Sequence, residues 1–150
     1  MTTGFLVATL LGRLPVELGE AMHESYDTCG VATEELLNVT VSEVSPGTIL
    51  CVVAGEVDLL TGPTLREKLN AINVVPAHLV IDLSAVRFLA SIGLNILVEI
   101  LAAQEAAGRH LALVVEDNHA VSHALETTGL DQVFDIHAET AAAVRACFTS

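Results

Sequence analysis

The sequence predicts an α/β protein whose sheet is mostly parallel, with one antiparallel edge strand and about four packed helices. Two observations predict this fold class. Short apolar runs alternate with helical segments along most of the chain, and strands separated by a helix usually lie parallel through right-handed crossovers. The first two runs are joined by a short turn instead, which favours an antiparallel pair. The chain has 150 residues and is 52% apolar, so it can bury one sizeable core.

The first regular segment predicts a β-hairpin. Residues 37–41 alternate between apolar and polar side chains, as a half-buried strand does. Residues 45–48 (SPGT) suit a turn, because proline fits its second position and glycine tolerates the positive φ that follows. Residues 49–54 are continuously apolar, which is typical of a strand buried on both faces.

Helices and strands alternate after the hairpin. The predicted elements are a helix from Thr61 to Ile72, a strand at 78–83, a helix at 92–107, a strand at 110–116, a helix at 118–128, a strand at 133–137 and a helix at 138–147. Pro63 suits the first turn of a helix, and Asn118 suits a helix cap. Gly108 and Gly129 suit left-handed helix ends.

Residues 1–33 differ from the rest of the chain because they show no clear hydrophobic period. We expect an N-terminal extension there, in part disordered, ahead of a single domain at 34–150. The core of that domain is expected to include Ile81, Leu97 and Val114, which lie in its apolar segments.

The charge of the chain excludes some classes of partner. Nineteen acids against six bases give a formal net charge of −13, which opposes binding to nucleic acid. No segment approaches the roughly 18 apolar residues of a membrane span, so we expect no membrane insertion. No basic residue precedes the apolar residues 4–12, which argues against a secretory signal and favours a cytoplasmic protein.

The sequence contains no convincing set of residues for catalysis or metal binding. The phosphate-binding, zinc-protease and serine-hydrolase motifs GxxxxGK[ST], GxGxxG, HExxH and GxSxG are all absent from the sequence. His119 and His123 have a spacing that can bind a metal, but no third ligand stands at a telling offset. We therefore expect neither a metal nor a cofactor, and no enzymatic activity.

The three cysteines, Cys29, Cys51 and Cys147, are scattered and odd in number. No CxxC spacing occurs, so neither a zinc site nor a disulfide framework is indicated. We expect three reduced thiols, with a redox switch as the alternative.

Ser91 stands where the longest apolar helix is predicted to begin. Its hydroxyl could cap that helix by accepting a hydrogen bond from a free backbone amide. Alternatively, Ser91 could accept a phosphoryl group, because the amides and dipole of a helix N-terminus stabilise phosphate. The residue pattern leaves both interpretations open.

Three motifs together resemble STAS domains, and among them bacterial anti-anti-sigma factors. They are residues 55–58 (GEVD), followed by Thr61 and Leu65; residues 79–84 (LVIDLS); and residues 88–94 (FLASIGL). Each falls at a fitting junction of strand and helix, and the resemblance covers about residues 36–147. It implies the STAS fold for the regular part of the chain.

The resemblance also implies a function. Anti-anti-sigma factors bind an anti-sigma factor, often an ATP-dependent serine kinase, and so release a sigma factor until the kinase phosphorylates a serine. Carried over by motif, the phosphorylated residue is Ser91. The residues that would line the partner surface are Asp58, Thr61, Ser84, Ala90, Ile92, Gly93 and Asn95. The family typically has aspartate before the serine and a second hydroxyl residue after it. This chain has Ala90 and Ile92 at those two positions.

Other functional interpretations exist. A STAS accessory or sensor module of a transport system or signalling complex needs no phosphoserine, so it accommodates Ala90 and Ile92. A hydrolase that uses Ser91 as its nucleophile is a third. A receiver domain of two-component signalling would need a lysine beside an acidic cluster, whereas Lys68, the single lysine, lies within a predicted helix.

Overall fold

The computed structural model describes residues 36–73 and 75–149, so the predicted extension at 1–33 lies outside the described residues. The strands are β1 (Leu37–Ser45), β2 (Thr48–Val57), β3 (His78–Leu89), β4 (Leu111–Val114) and β5 (Asp135–His137). The helices are α1 (Gly62–Asn73), α2 (Ser91–Ala106), α3 (His119–Thr128) and α4 (Thr140–Thr149). A short 3-10 turn, Leu130–Gln132, precedes β5.

The five strands form one sheet in the order of the chain, β1-β2-β3-β4-β5. The pair β1–β2 is antiparallel, and the other three pairs are parallel. Gly47 has a φ of +79° in the turn between β1 and β2, the backbone conformation for which glycine is suited there. The predicted mostly parallel α/β sheet with one antiparallel edge is therefore confirmed.

β3 is longer than predicted, because it continues to Leu89 instead of ending at Leu83. Residues 84–89 are strand and not the loop that the sequence suggested. Two irregularities in the β2–β3 register insert one extra β3 residue each: Val52 and Ala54 pair with Asp82 and Ala85. Bulges of this kind break the alternation of side chains between the two faces, and so they remove the pattern by which a strand is recognised.

The core has two parts, one on each face of the sheet. The larger cluster joins α1, α2 and α3 to residues such as Ile81 and Leu113, whereas the smaller cluster joins α4 to Val80, Ala112 and Val114. Because successive strand residues point to opposite faces, Val80 and Ile81 place the two clusters on opposite sides.

The expected core residues are buried, since Ile81 and Leu97 are 0% exposed and Val114 is 1% exposed. Helix α2 runs from Ser91 to Ala106, close to its predicted extent of 92–107, with Gly108 at a φ of +73° just beyond it. Within the described residues, no helix is long and apolar enough to cross a membrane.

Candidate functional site

Two helices begin side by side at one edge of the sheet. β2 and β3 end in register, with Val57 paired to Leu89, and the backbone amide of Ala90 donates a 2.9 Å hydrogen bond to the carbonyl of Val57. Helices α1 and α2 start a few residues beyond these strand ends. Parallel α/β sheets commonly place their functional sites at the carboxyl ends of the strands, and this edge is such a place.

Ser91 is exposed at the first position of α2 and does not cap the helix. The capping position is Ala90, whose φ of −84° and ψ of 172° are extended and whose side chain makes no capping hydrogen bond. The carbonyl of Ala90 accepts from the amides of Gly93 (2.9 Å) and Leu94 (3.3 Å). The capping interpretation of Ser91 is therefore wrong, and the hydroxyl is presented to solvent.

The position of Ser91 suits a phosphoryl group. The first amides of a helix have no acceptor within the helix, and the dipole places partial positive charge at this end. A phosphoryl group there would be stabilised locally while adding nearly two negative charges to the surface. Phosphorylation of Ser91 would therefore change the charge of this surface without unfolding α2.

The loop between β2 and α1 is fixed by Asp58 and Thr61. Asp58 Oδ1 accepts hydrogen bonds from the amides of Leu60 (2.9 Å) and Thr61 (3.0 Å). Thr61 Oγ1 donates to the carbonyl of Glu56 at 2.7 Å and accepts from the amide of Asp58 at 3.0 Å. These bonds satisfy the loop backbone and hold it in one conformation.

Thr61 and Gly93 are buried, which corrects their predicted place on the partner surface. Thr61 is 0% exposed. A Cβ at Gly93 would lie 2.5 Å from Leu89 Cδ1 and 2.8 Å from Val57 Cγ1, so glycine allows α2 to approach the ends of β2 and β3. Thr61 holds the loop and Gly93 allows the close approach of α2, and neither residue offers a side chain to a partner.

Ile92 joins the two helix starts. It is half-buried, and a Cβ on Gly62 would lie 2.7 Å from Ile92 Cδ1. The isoleucine therefore packs against the first turn of α1 and only partly faces solvent. Ala90, beside Ser91, is also half-buried.

The remaining predicted residues differ in exposure. Asn95 is exposed and lies one turn beyond Ser91 on the same side of α2. Ser84 is half-buried, and its hydroxyl accepts a 3.0 Å hydrogen bond from the amide of Glu116, which ties β3 to the residues after β4. Asp58 is half-buried and uses its carboxylate within its own loop. Ser91 and Asn95 are thus the exposed polar residues of the predicted set.

Sequence reasoning missed three exposed apolar side chains near this edge. Leu59 is 81% exposed, Leu60 is 58% exposed and Phe88 is 51% exposed. The exposure of the leucines could have been expected in part, because they follow Asp58 directly in a predicted loop. Loops usually run over the protein surface, so their side chains commonly face solvent. The signal from Phe88 was hidden by the bulges in β3.

Asn118 holds the bulged part of β3 in place. Its Nδ2 donates to the carbonyls of Leu83 (3.1 Å), Ser84 (3.0 Å) and Val86 (2.6 Å). Its Oδ1 accepts from the amide of Val121 at 3.2 Å and so caps α3, as predicted. One side chain therefore bonds three backbone carbonyl groups in the irregular part of the strand.

A second polar cluster lies at the opposite end of the parallel strands and on the β5 edge. Asp135 Oδ2 lies 2.7 Å from His110 Nε2, and Asp135 Oδ1 lies 3.0 Å from His137 Nε2. Burial alone would raise the pKa of Asp135, but the contacts from His137 and His110 outweigh it and hold that pKa below its usual range.

The sequence pointed to His119 and His123 as a pair whose spacing can bind a metal, without a third ligand. The rings of His119 and His123 stack at 5.7 Å between centroids. In the part of the chain that the structure describes, no group of three His, Cys, Asp or Glu residues could hold a metal ion.

The two described cysteines are free and buried. Burial raises the pKa of the Cys51 thiol to about 12 and that of the Cys147 thiol to about 11. Cys51 belongs to the larger core cluster and Cys147 to the smaller one, so the sheet lies between them. Cys29 lies outside the described residues.

The fold and the edge at Ser91 define a class of protein, a small α/β domain with an exposed serine at the start of the longest helix that the structure describes. Comparison with known proteins identifies the family. The family model of the STAS domain matches residues 40–143, and the chain therefore belongs to the STAS domain family. A protein of Mycobacterium tuberculosis named anti-sigma-F factor antagonist RsfB is 34% identical over 106 residues, which are 69% of this chain and 84% of RsfB.

Solved structures agree with this assignment. The crystal structure of an anti-sigma factor antagonist from Mycobacterium paratuberculosis is 33% identical, has a TM-score of 0.65 and is matched over 74% of this chain and 93% of its own. The phosphorylated form of SpoIIAA from Bacillus is 16% identical, with a TM-score of 0.57 over 73% of this chain and 99% of its own. At that identity the second likeness concerns the fold alone.

Proposed function

We propose that this protein is an anti-anti-sigma factor, which binds an anti-sigma factor and thereby releases a sigma factor. The names of the similar proteins from two mycobacteria support this function. We further propose that phosphorylation of Ser91 ends the interaction, and the observation that carries this part is the exposure of Ser91 at the first position of α2. Sigma factors act on transcription, so the proposal assigns the protein to the cytoplasm.

The mechanism follows from the charge that a phosphoryl group adds. A partner packed closely over the start of α2 would have to desolvate nearly two negative charges, and this costs free energy unless a cation pairs with them. The fold of this protein would remain, because the same charge is favourable next to the helix dipole. Binding would therefore be lost without loss of structure.

The experiment compares Ser91→Glu and Ser91→Ala with the wild type in binding to the anti-sigma-F factor of M. tuberculosis. We expect Ser91→Glu to weaken binding and to leave the unfolding curve nearly unchanged, and Ser91→Ala to bind as the wild type does. The matched control is Ala141→Glu, which places a carboxylate in the exposed first turn of α4, on the other face of the sheet, and should bind normally.

Kinase assays complete the test. The partner kinase should transfer phosphate to the wild type and not to Ser91→Ala. If Ser91→Glu binds as tightly as the wild type and no kinase labels Ser91, the phosphorylation step is wrong.

A second candidate is a STAS module that binds its partner without a phosphorylation switch. The observation in its favour is the packing of Ile92 against Gly62 and the presence of Ala90, because neither supplies a polar group for kinase recognition. Equal binding by the wild type, Ser91→Glu and Ser91→Ala would favour this candidate. Copurification with subunits of a transport system would further point to an accessory role.

A further inference from the structure

We infer that residues 5–11 of this chain cover an apolar strip on the sheet face that carries α4. The strip, which we call the open strip, consists of four residues of β2 and β3: Val52, Ala54, Ala85 and Phe88. This contact within the chain is separate from the proposed partner surface at the start of α2, because the open strip lies on the opposite face of the sheet.

The open strip is one surface because its members are neighbours in the β2–β3 ladder. Val52 and Ala54 are two residues apart on β2, so their side chains point to the same face. Ala54 pairs with Ala85, and Phe88 pairs with Glu56, which is the next β2 residue on that face. The four side chains therefore lie side by side, although the bulges of β3 space them irregularly along the sequence.

The face is identified by the β2 residues that alternate with the open strip. Val53 and Val57 belong to the larger cluster, so the open strip points away from α1, α2 and α3. Helix α4 packs on β3, β4 and β5, and it leaves the open strip in contact with solvent. Phe88 is 51% exposed, Ala85 is exposed, and the two β2 members are half-buried.

Polar side chains border the open strip. On the neighbouring strand β1, Asn38 and Thr40 are exposed and pair with the two β2 members. Beside Phe88, Arg87 Nη2 lies 3.5 Å from Glu56 Oε2, so these two charges are paired with each other. An exposed apolar area with a polar border is typical of a place where another apolar surface packs.

Residues 5–11 (FLVATLL) have the chemistry that the open strip requires. Six of the seven residues are apolar and none is charged. Removal of such a segment from water is favourable in proportion to the apolar area that is buried. A charged segment would instead lose its hydration on the apolar surface without gaining a partner.

The open strip lies within reach of this segment. The described residues begin at position 36, and Leu37 at the start of β1 pairs with Gly55. Neighbouring strands are about 4.8 Å apart, so the start of β1 lies about 10 Å from β3. The 24 residues 12–35 separate the segment from this point, and they span at most about 80 Å. A tethered segment acts at an effective concentration on the order of millimolar, which favours it over a separate molecule.

The net charge favours the same occupant over a second copy of the chain. Each copy carries a formal net charge of −13, so two copies placed face to face repel each other. Residues 5–11 add no charge to the contact. The open strip is therefore covered from within the chain.

A fluorescent reporter in the full chain tests this contact. The chain contains no tryptophan, so Phe88→Trp introduces a single indole at the open strip. Adding Leu6→Asp and Leu10→Asp should raise the acrylamide quenching constant of that indole about two- to threefold, because a carboxylate opposes burial. The matched control adds Leu18→Asp and Met22→Asp, with the same charge and spacing outside the segment, and should leave the quenching constant unchanged.

Hydrogen exchange tests the contact from the side of the segment. Amides of residues 5–11 should exchange about 5- to 10-fold faster in Phe88→Ser than in the wild type, because a local contact that protects them is weakened. Phe148→Ser is the matched control, since Phe148 is 59% exposed on α4, and it should leave the exchange rates unchanged. Circular dichroism of each variant should match the wild type.

Three results would overturn the inference. The first is equal quenching of the indole with and without the two aspartates in the segment. The second is equal exchange of residues 5–11 in Phe88→Ser and the wild type. The third is an indole that becomes accessible on dilution while sedimentation shows a dimer dissociating, because a second copy would then be the cover.

Discussion

At the residue scale, Gly93 decides how closely α2 approaches the sheet. Its neighbours, Val57 and Leu89, are 0% and 7% exposed, and each would contact a methyl group at position 93 at less than 3 Å. The branched side chain of Val57 has little rotamer freedom, so it cannot turn away readily. The same close approach determines how far Ser91 lies from the ends of β2 and β3.

Gly93→Ala should therefore destabilise the protein by about 1–3 kcal/mol, the usual cost of overpacking a core. Urea denaturation of the variant would measure this change. The control is Asn95→Ala at an exposed position of the same helix, which should change the free energy of unfolding by no more than about 0.5 kcal/mol. A neutral or stabilising effect of Gly93→Ala would contradict the close packing described for this helix.

At the element scale, α2 is held by the residues that it buries between α1 and the sheet. Leu97 is 0% exposed and lies in the larger core cluster, whereas its neighbour Val98 is 38% exposed. The sequence of α2 is apolar on most sides, so its buried face follows from packing.

Leu97→Ala should cost about 2–5 kcal/mol in the free energy of unfolding, since it removes buried methyl groups and leaves a cavity. Val98→Ala, a truncation at the adjacent and partly exposed position, should cost clearly less. Thermal and urea unfolding of both variants would measure the difference. Equal costs would mean that the register of α2 is wrong.

The three-residue strand β5 is joined to the start of β4 by its own polar contacts. Asp135 pairs with Ala112 in the ladder, and its carboxylate contacts His110, the residue just before β4. Asp135 has a lowered pKa in the folded protein, so its contribution to stability is present above the pKa of the unfolded chain. The contribution is lost as the pH falls through the lower, folded pKa.

The wild type should therefore be more stable than Asp135→Asn near neutral pH, and the difference should shrink below about pH 4. Thermal melts from pH 7 to pH 3 would measure this dependence. Asp131→Asn is the control, because that carboxylate accepts only a 3.3 Å hydrogen bond from Gln132 in an exposed setting. A constant difference across the pH range would contradict a role for the Asp135 charge.

At the scale of the whole molecule, the two-sided core separates the thiols. Cys51 and Cys147 lie on opposite faces of the sheet, and burial gives both of them a raised pKa, with little thiolate at neutral pH. A disulfide between them would require the sheet to open.

Both thiols should resist iodoacetamide in the native protein and react fully in urea. Peptide mass spectrometry would follow each site separately, with the fully labelled protein in urea as the reference. Rapid native labelling of Cys51, or a stoichiometric bridge to Cys147 in protein kept from air, would favour the redox switch.

The sequence by itself determined the class of fold and the position of the candidate site. Alternating apolar runs predicted the parallel order of the strands, and the residues around Ser91 indicated the family to which the chain belongs. These features depend on local periodicity and on short motifs, and both can be read directly from the order of the residues.

The tertiary structure alone decided which site residues are exposed. Thr61 is buried by its hydrogen bonds to Glu56 and Asp58, and the second bulge of β3 leaves Phe88 exposed while its neighbour Leu89 stays buried. Burial depends on neighbours that are distant in the sequence, and a bulge shifts every later side chain to the other face of a strand. The exposure of these residues is therefore decided only once β2 and β3 are paired and the loop between β2 and α1 is closed.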